Sequence, residues 1–436
     1  MCRVIEEKIN IQNAAFFYYL TKLFNFPSAH TTIISYIERC FTIVVETQNF
    51  LDLDFKHLSK ILASSGLGIT SEVEVYNAAD HWMRYNIEER GRHAESLLSK
   101  VRLVFLTDRT IRLLLNDSSS FFKLKDFLMK LKEATAKGSL SFDGYRISYA
   151  SRHCDQKSYK VLLCGGFTSS LSRRTSEVNV VYSNSFGIAK ALPPMIEERA
   201  IFNAVCVKGE LYVLGNYSQT NTVNKFSPAT NVWSRQGQIQ GWSRLNFFAC
   251  AFMDKIYVMG GFLYNLSRPL TASCLQFSTK NRRWKEVSRM KEGRTSAACA
   301  VFQGRIVVAG GGPNLLNTVE SYDVLPDEWS EMPKMITAKA NHSLVAVKNK
   351  MFVFSPGAND CEVFDGACKK FVSLKLPELV SGIRVRAVSV EKKIFVFQED
   401  SASVICYDIE KDEWSYEPCE VTKNLKGYSC VKIPSY

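Results

Sequence analysis

The feature of this 436-residue chain most able to do chemistry is a series of cations. Arg199, Arg244, Arg294, Lys339, Arg384 with Arg386, and Lys426 each stand just before, or at the start of, a short apolar run. Guanidinium and ammonium groups grip carboxylate and phosphate oxygens, so cations gathered by a fold form a seat for an acidic or phosphorylated peptide. Asn203, Asn246 and Asn341 follow three of these cations and add amide donors. Tyr217, Phe262 and Tyr264 are candidate aromatic anchors beside them. A bidentate, charge-assisted contact brings roughly 1.5–3 kcal/mol. A micromolar complex needs about 8 kcal/mol, so about three or four arginine contacts and an anchor are required. The competing reading makes the cations solvated turn residues, some paired with Glu197, Glu198 or Glu292.

Bond-making chemistry finds no support. A GxSxG elbow, an HExxH pair and a phosphate loop followed by a helix are absent. Gly310-Gly311-Gly312 follows a strand and precedes no helical pattern, and Asp52-Leu53-Asp54 reads as a helix cap. The 13 cysteines run from Cys2 to Cys430 without a CxxC, and the six histidines are scattered. Neither a disulfide framework nor a metal site is expected, and reduced cysteines point to the cytoplasm. No apolar run is long enough to span a membrane, and the first residues lack the apolar core of a signal peptide. The basic run Lys280–Lys285 encloses Trp284 and reads as a turn between strands, with no stacking series for nucleic acid.

These residues are positioned by two stretches of different grammar. Residues 1–137 contain one proline, Pro27, and three glycines, Gly66, Gly68 and Gly91. Ser71 and Glu74 have capping-box spacing, and Val75, Ala78, Ala79 and Trp82 continue as an apolar stripe. Leu97, Leu98, Val101, Val104 and Phe105 make a second stripe, and Ile111, Leu114 and Leu115 a third. Stacked helices are the expectation. Residues 133–150 are small, polar and charged and are expected to be a linker.

From residue 151 the chain turns to short β-runs in a repeat. Gly165-Gly166, Gly215, Gly260-Gly261, Gly310-Gly311, Ser355-Pro356-Gly357 and Gln398-Glu399 follow successive strands. A large aromatic closes all but the first of these units: Trp233, Trp284, Trp329, Phe371 and Trp414. Such a unit cannot bury both faces alone, so six of them must close into a ring of blades. Of the net charge of +12, residues 1–150 carry +2 (19 Lys/Arg against 17 Asp/Glu) and the rest +10 (36 against 26). The β half therefore favours acidic partners.

The order strand, Gly-Gly, loop, aromatic strand, Trp resembles the kelch repeat. The helical half is similar to the BACK domain of kelch-like proteins at Ala29, Ile37, Phe41, Phe50-Leu51-Asp52-Leu53, Leu58, Ile61-Leu62, Val75-Tyr76, Trp82 and Leu97–Arg102. The resemblance implies a multidomain chain. Residues 1–28 would be a remnant of the junction between a BTB domain and BACK, with the BTB domain itself missing or truncated. Residues 29–132 would be an all-α BACK domain, and 151–436 an all-β six-bladed kelch propeller closed by a strand from Tyr428–Ile433. It further implies a non-catalytic substrate adaptor of a cullin-RING ubiquitin ligase, with the substrate on the propeller's loop face. The alternatives are an actin-binding scaffold, or a competitor that holds substrate without delivering it. Without the dimerising domain the chain is expected to be a monomer.

Overall fold

A computed structural model describes residues 9–69, 71–106, 108–116, 122–137, 139, 141–148, 159–168, 173–183, 186–215, 221–240, 244–263, 270–347, 349–357, 360–376, 384–390 and 392–434. The chain divides into two compact units, Met1–Gln156 and Lys157–Tyr436.

The first unit is helical, with long helices α1 (Ala14–Leu23), α2 (Pro27–Arg39), α3 (Phe55–Ala63), α4 (Glu72–Tyr85), α5 (Asp108–Asn116) and α6 (Phe122–Ala136) joined by shorter turns. Helix α4 starts where the capping box places it. Val73 N–H donates to Ser71 Oγ (3.2 Å) and Ser71 N–H to Glu74 Oε2 (3.1 Å), so orphan amides at the helix start are satisfied. Its stripe buries Val75, Ala78, Ala79 and Trp82, and Trp82 Nε1 donates to Leu53 O (2.8 Å). Asp54 caps α3 by accepting from His57 N–H (2.8 Å).

Two expectations change. The stripe from Leu97 to Phe105 is not one helix but a short helix, Ala94–Leu98, and a 3₁₀ turn, Leu103–Phe105. The tightening bonds Lys100 N–H to Leu97 O and Val101 N–H to Leu98 O end the first piece. Residues 133–150, expected as a linker, begin inside α6 and include a ribbon of Ser141–Phe142 and Tyr145–Arg146. Phe142 and Tyr145 lie 6.0 and 5.6 Å from the Phe127 ring, so two aromatics within a polar stretch hold it to α6.

The second unit consists mainly of four-stranded antiparallel sheets. Sheet 2 is formed by Asn203–Val207, Glu210–Leu214, Thr222–Ser227 and Val232–Gln238. Sheets 3 to 6 repeat this order and begin at Phe248, Ala298, Ser343 and Val385. Sheet 1 combines both ends of the unit: Ser429–Pro434 pairs with Tyr159–Cys164, followed by Val178–Ser183 and Phe186–Leu192. First strands neighbour one another from sheet to sheet and return from sheet 6 through sheet 1 to sheet 2. This is a propeller arrangement.

Each apolar core cluster of the unit draws on two adjacent sheets. Leu211, Val213 and Phe226 of sheet 2 pack with Leu162, Val178 and Ile433 of sheet 1. Phe395, Val404 and Cys406 of sheet 6 pack with Val161 and Leu163 of sheet 1. A single sheet therefore has no core of its own, and the stacking provides it. The repeated aromatics sit on the outermost strands, opposite an aromatic of the third: Phe226 with Trp233, Phe277 with Trp284, Tyr322 with Trp329, Phe364 with Phe371 and Tyr407 with Trp414. Their ring centroids lie 4.5–5.3 Å apart. Trp233 and Trp329 donate to Pro193 O and Ser288 O of the connection before their own sheet (2.8 Å each).

Candidate partner-binding face

Antiparallel pairing puts the start of each first strand, the end of the second and the start of the third on one edge. The cations and the turns that follow the second strands therefore share a face. On it, four of the cations turn inward. Arg199 is fully buried, and its Nη1 donates to Gly215 O and to Thr222 O (3.3 Å), and its Nη2 to Thr222 Oγ1 (2.6 Å) and Glu197 Oε2 (3.1 Å). Arg244 repeats the pattern on Gly260 O (3.2 Å), Ser273 O (3.1 Å) and Ser273 Oγ (2.7 Å). Arg294 repeats it on Gly310 O (2.8 Å), Thr318 O (3.0 Å) and Thr318 Oγ1 (2.7 Å). Each guanidinium thus bridges the carbonyl ending the second strand and the one opening the third. Lys339 lies in the equivalent place and pairs with Glu362 (3.1 Å), both buried.

The main chain at these cations ties sheets together. Gly166, Gly261 and Gly311 donate to Arg199 O, Arg294 O and Lys339 O of the next sheet (2.7 Å each). Gly310 has φ +61°, and a Cβ there would collide with Lys339 O. Only glycine serves at such a position. The expectation that Arg199, Arg244, Arg294 and Lys339 present charge to a partner is therefore corrected: all four side chains are buried, with the Nη groups of the arginines and the Lys339 ammonium bonded within the sheets. Burial lowers the Arg199 pKa to about 10, against the attraction of Glu197, and lowers that of Arg244 as well.

The asparagines are also used internally. Asn203 Nδ2 donates to Phe247 O (3.1 Å). Asn246 (φ 52°) and Asn341 (φ 56°) take left-handed backbone, which asparagine tolerates. Ser296 N–H donates to Asn246 O (3.0 Å), Asn341 N–H to Ser296 O (2.9 Å) and Val385 N–H to Asn341 O (3.4 Å). This backbone chain runs from sheet to sheet. Phe262 is half-buried and pairs with Leu245. Tyr217 and Tyr264 lie outside the described residues.

Three cations stay nearer the surface. Arg384 and Arg386 are half-buried, and Arg386 Nη1 donates to Val385 O (3.1 Å). Burial and the neighbouring Arg386 bring the Arg384 pKa down to about 10. Lys426 is exposed and pairs with Asp400 (2.7 Å). Large apolar side chains stand exposed in connections on the same face: Ile196 (48%), Leu315 (62%) and Ile336 (55%). The bridge between Leu316 and Lys339 brings the last two loops together.

Sequence reasoning missed Glu320 and Glu362. Glu320 accepts from Arg294 Nε (3.1 Å), Arg294 Nη2 (2.9 Å) and Lys291 N–H (2.7 Å). Glu362 accepts from Ile336 N–H (2.7 Å) and Thr337 N–H (2.9 Å). The available signal was an acid inside a third strand, one residue after Val319 in one sheet and one after Cys361 in the next. Among the described residues no group of three His, Cys, Asp or Glu is placed to hold a metal ion, and no helix is long and apolar enough to cross a membrane.

A helical unit followed by a propeller of four-stranded sheets, with loops gathered on one face, defines an interaction scaffold. Residues 14–116 match the family model BACK, "BTB And C-terminal Kelch", and residues 293–336 match the Kelch motif. The chain is 26% identical to Kelch-like protein 7 of Rattus norvegicus over 94% of its length. It is 22% identical to Kelch-like protein 35 of Mus musculus over 89%, and 25% identical to Kelch repeat and BTB domain-containing protein 2 of Homo sapiens over 80%. It spans 72%, 61% and 66% of those three proteins. The chain is thus similar to kelch-like proteins in both its helical and its β unit.

Proposed function

We propose that the second unit is a six-bladed kelch propeller that holds a protein substrate on its loop face. The chain then acts as a non-catalytic substrate-recognition adaptor of a cullin-RING ubiquitin ligase. One observation carries the reading: the buried cations, glycines and backbone chain make that face rigid, while its loops leave Ile196, Leu315 and Ile336 exposed. A fixed platform loses little entropy on binding, and exposed apolar groups supply anchors. Arg384, Arg386 and Lys426 on the same face favour a substrate with an acidic segment beside an apolar residue. No bond is made or broken by this chain. Its contribution is to raise the concentration of the substrate near a ligase.

The test is purification of the full chain from cytosol, with the Leu315→Asp/Ile336→Asp variant in parallel. A cullin should co-purify with both, and a substrate with the unaltered chain alone. Co-sedimentation with actin filaments in place of a cullin would replace the adaptor reading by a cytoskeletal one.

A further inference from the structure

The framework of the loop face does not account for Arg384 and Arg386. Asn203, Phe248, Ala298 and Ser343 stand four residues after Arg199, Arg244, Arg294 and Lys339. They pair with Leu214, Met259, Ala309 and Phe354 at the ends of the second strands. Arg386 pairs with Phe397 in the same register of sheet 6. By that register the place of the inward-turned cation falls to Gly382 in the sequence, and Arg384 stands two residues past it. Sheets 2 to 5 carry Ile201, Asn246, Ser296 and Asn341 at the Arg384 position, and no charge at the Arg386 position. Two guanidiniums there are a departure of sheet 6 from its neighbours.

Both residues stand at the loop-face end of a first strand, and the first strands neighbour one another round the ring. Two residues along a strand place their Cα atoms roughly 7 Å apart, so both side chains reach one anion. Arg199, Arg294, Lys339 and Lys426 each contact a carboxylate, and Arg244 is held by Gly260 O and Ser273. Among the described residues Arg384 and Arg386 contact no carboxylate, and the hydrogen bond they give is Arg386 Nη1 to Val385 O (3.1 Å). The first strand of sheet 5 alongside offers Asn341 O to Val385 N–H (3.4 Å) and Ser343 Oγ to Ala387 N–H (2.9 Å), and no acid. Glu399 is the acid nearby, and its Oε1 accepts from Gly427 N–H (2.8 Å). Burial is the first cause lowering the pKa of both arginines, a cost that a bound anion offsets. A phosphoryl group accepts two parallel N–H bonds from one guanidinium and leaves oxygens for a second.

We propose that Arg384 and Arg386 form a seat for a phosphoryl group, so that the substrate held on the loop face carries a phosphorylated residue. This rests on the reading of that face as the substrate platform. The experiment uses the full chain with its arginines isotopically labelled. The Nε–Hε signals, assigned through Arg384→Gln and Arg386→Gln, are followed by NMR at neutral pH and constant ionic strength. Inorganic phosphate, the tripeptide Ala-phosphoserine-Ala and the tripeptide Ala-Glu-Ala are titrated in turn. Saturable shifts of both signals are expected, with the phosphoserine peptide reaching its midpoint first. That midpoint should rise about tenfold when either arginine is glutamine, through loss of one charge-assisted contact. It should not move in Arg173→Gln, which removes an exposed cation of the same face that pairs with Glu198. Melting is measured on the same samples, and Arg384→Gln alone carries the comparison if Arg386→Gln does not fold. Tighter binding of inorganic phosphate than of the phosphoserine peptide would overturn the phosphorylated substrate in favour of a free phosphate ion. Signals that no probe moves, equal midpoints for the phosphoserine and glutamate peptides, or a midpoint unchanged in Arg384→Gln would overturn the seat. The readout needs no cullin, so failure of the seat and failure of the adaptor reading are told apart.

Discussion

Replacing Arg294 by methionine tests the inward-turned cations most sharply. The side chain is fully buried, and methionine keeps much of its aliphatic volume. The change leaves Gly310 O and Thr318 O without their guanidinium donor and leaves Glu320, 2% exposed, without its ion-pair partner. Breaking a buried pair from one side costs about 3–5 kcal/mol. At about 2–4 °C per kcal/mol, the melting temperature should fall by the order of 10 °C. Arg244→Met removes the same kind of bridge but leaves no carboxylate unpaired among the described residues, so about 1–3 kcal/mol is expected. Adding Glu320→Gln to Arg294→Met should recover part of the loss, because the stranded charge is gone. Thermal and urea unfolding of the three variants beside the unaltered chain measures this. If Arg294→Met melts with the unaltered chain, or if Arg244→Met is the more damaging, the cations are not clamps.

Removing Ser429–Tyr436 deletes the strand that pairs with Tyr159–Cys164, so cooperative unfolding of the β unit should be lost, as read by calorimetry. Gly310→Ala should destabilise by about 1–3 kcal/mol, since the residue has φ +61° and no room for a Cβ beside Lys339 O. Burial, with Lys339 and Arg294 nearby, lowers the His342 pKa from 6.5 to about 3. The unfolded chain therefore gains a proton below pH 6.5 that the folded chain refuses. Stability should fall by about 1.4 kcal/mol per unit as the pH drops from 6.5 towards 3, and His342→Phe should flatten that slope in urea titrations.

The repeat made the β unit legible. Glycines at positive φ and aromatics facing aromatics across a strand pair are local requirements, and local requirements leave fixed residue types at fixed spacing. Ser71 and Asp54 were legible for the same reason, since a cap is decided within four residues. The ribbon at 141–146 was not, because its hold on α6 depends on Phe127, distant in the chain. Nor was the direction of the cations. An arginine before a strand has the same letter whether it meets solvent or a carbonyl sixteen residues on, as Arg199, Arg244 and Arg294 do. Its destination is set by the turn of the sheet and by a third strand that offers a hydroxyl or carboxylate, such as Thr222, Ser273 or Glu320. Exposure of Leu315 and Ile336 is likewise a tertiary property that composition does not carry.

The central claim divides the face into a framework of buried cations and a surface of exposed loops. One measurement addresses both: melting temperature and substrate capture for Arg244→Met and for Leu315→Asp/Ile336→Asp, each assayed well below its melting point. The account predicts that the first variant melts lower and still captures substrate, whereas the second melts with the unaltered chain and captures none. Loss of capture in a fully folded Arg244→Met, with capture intact in the loop variant, would contradict it.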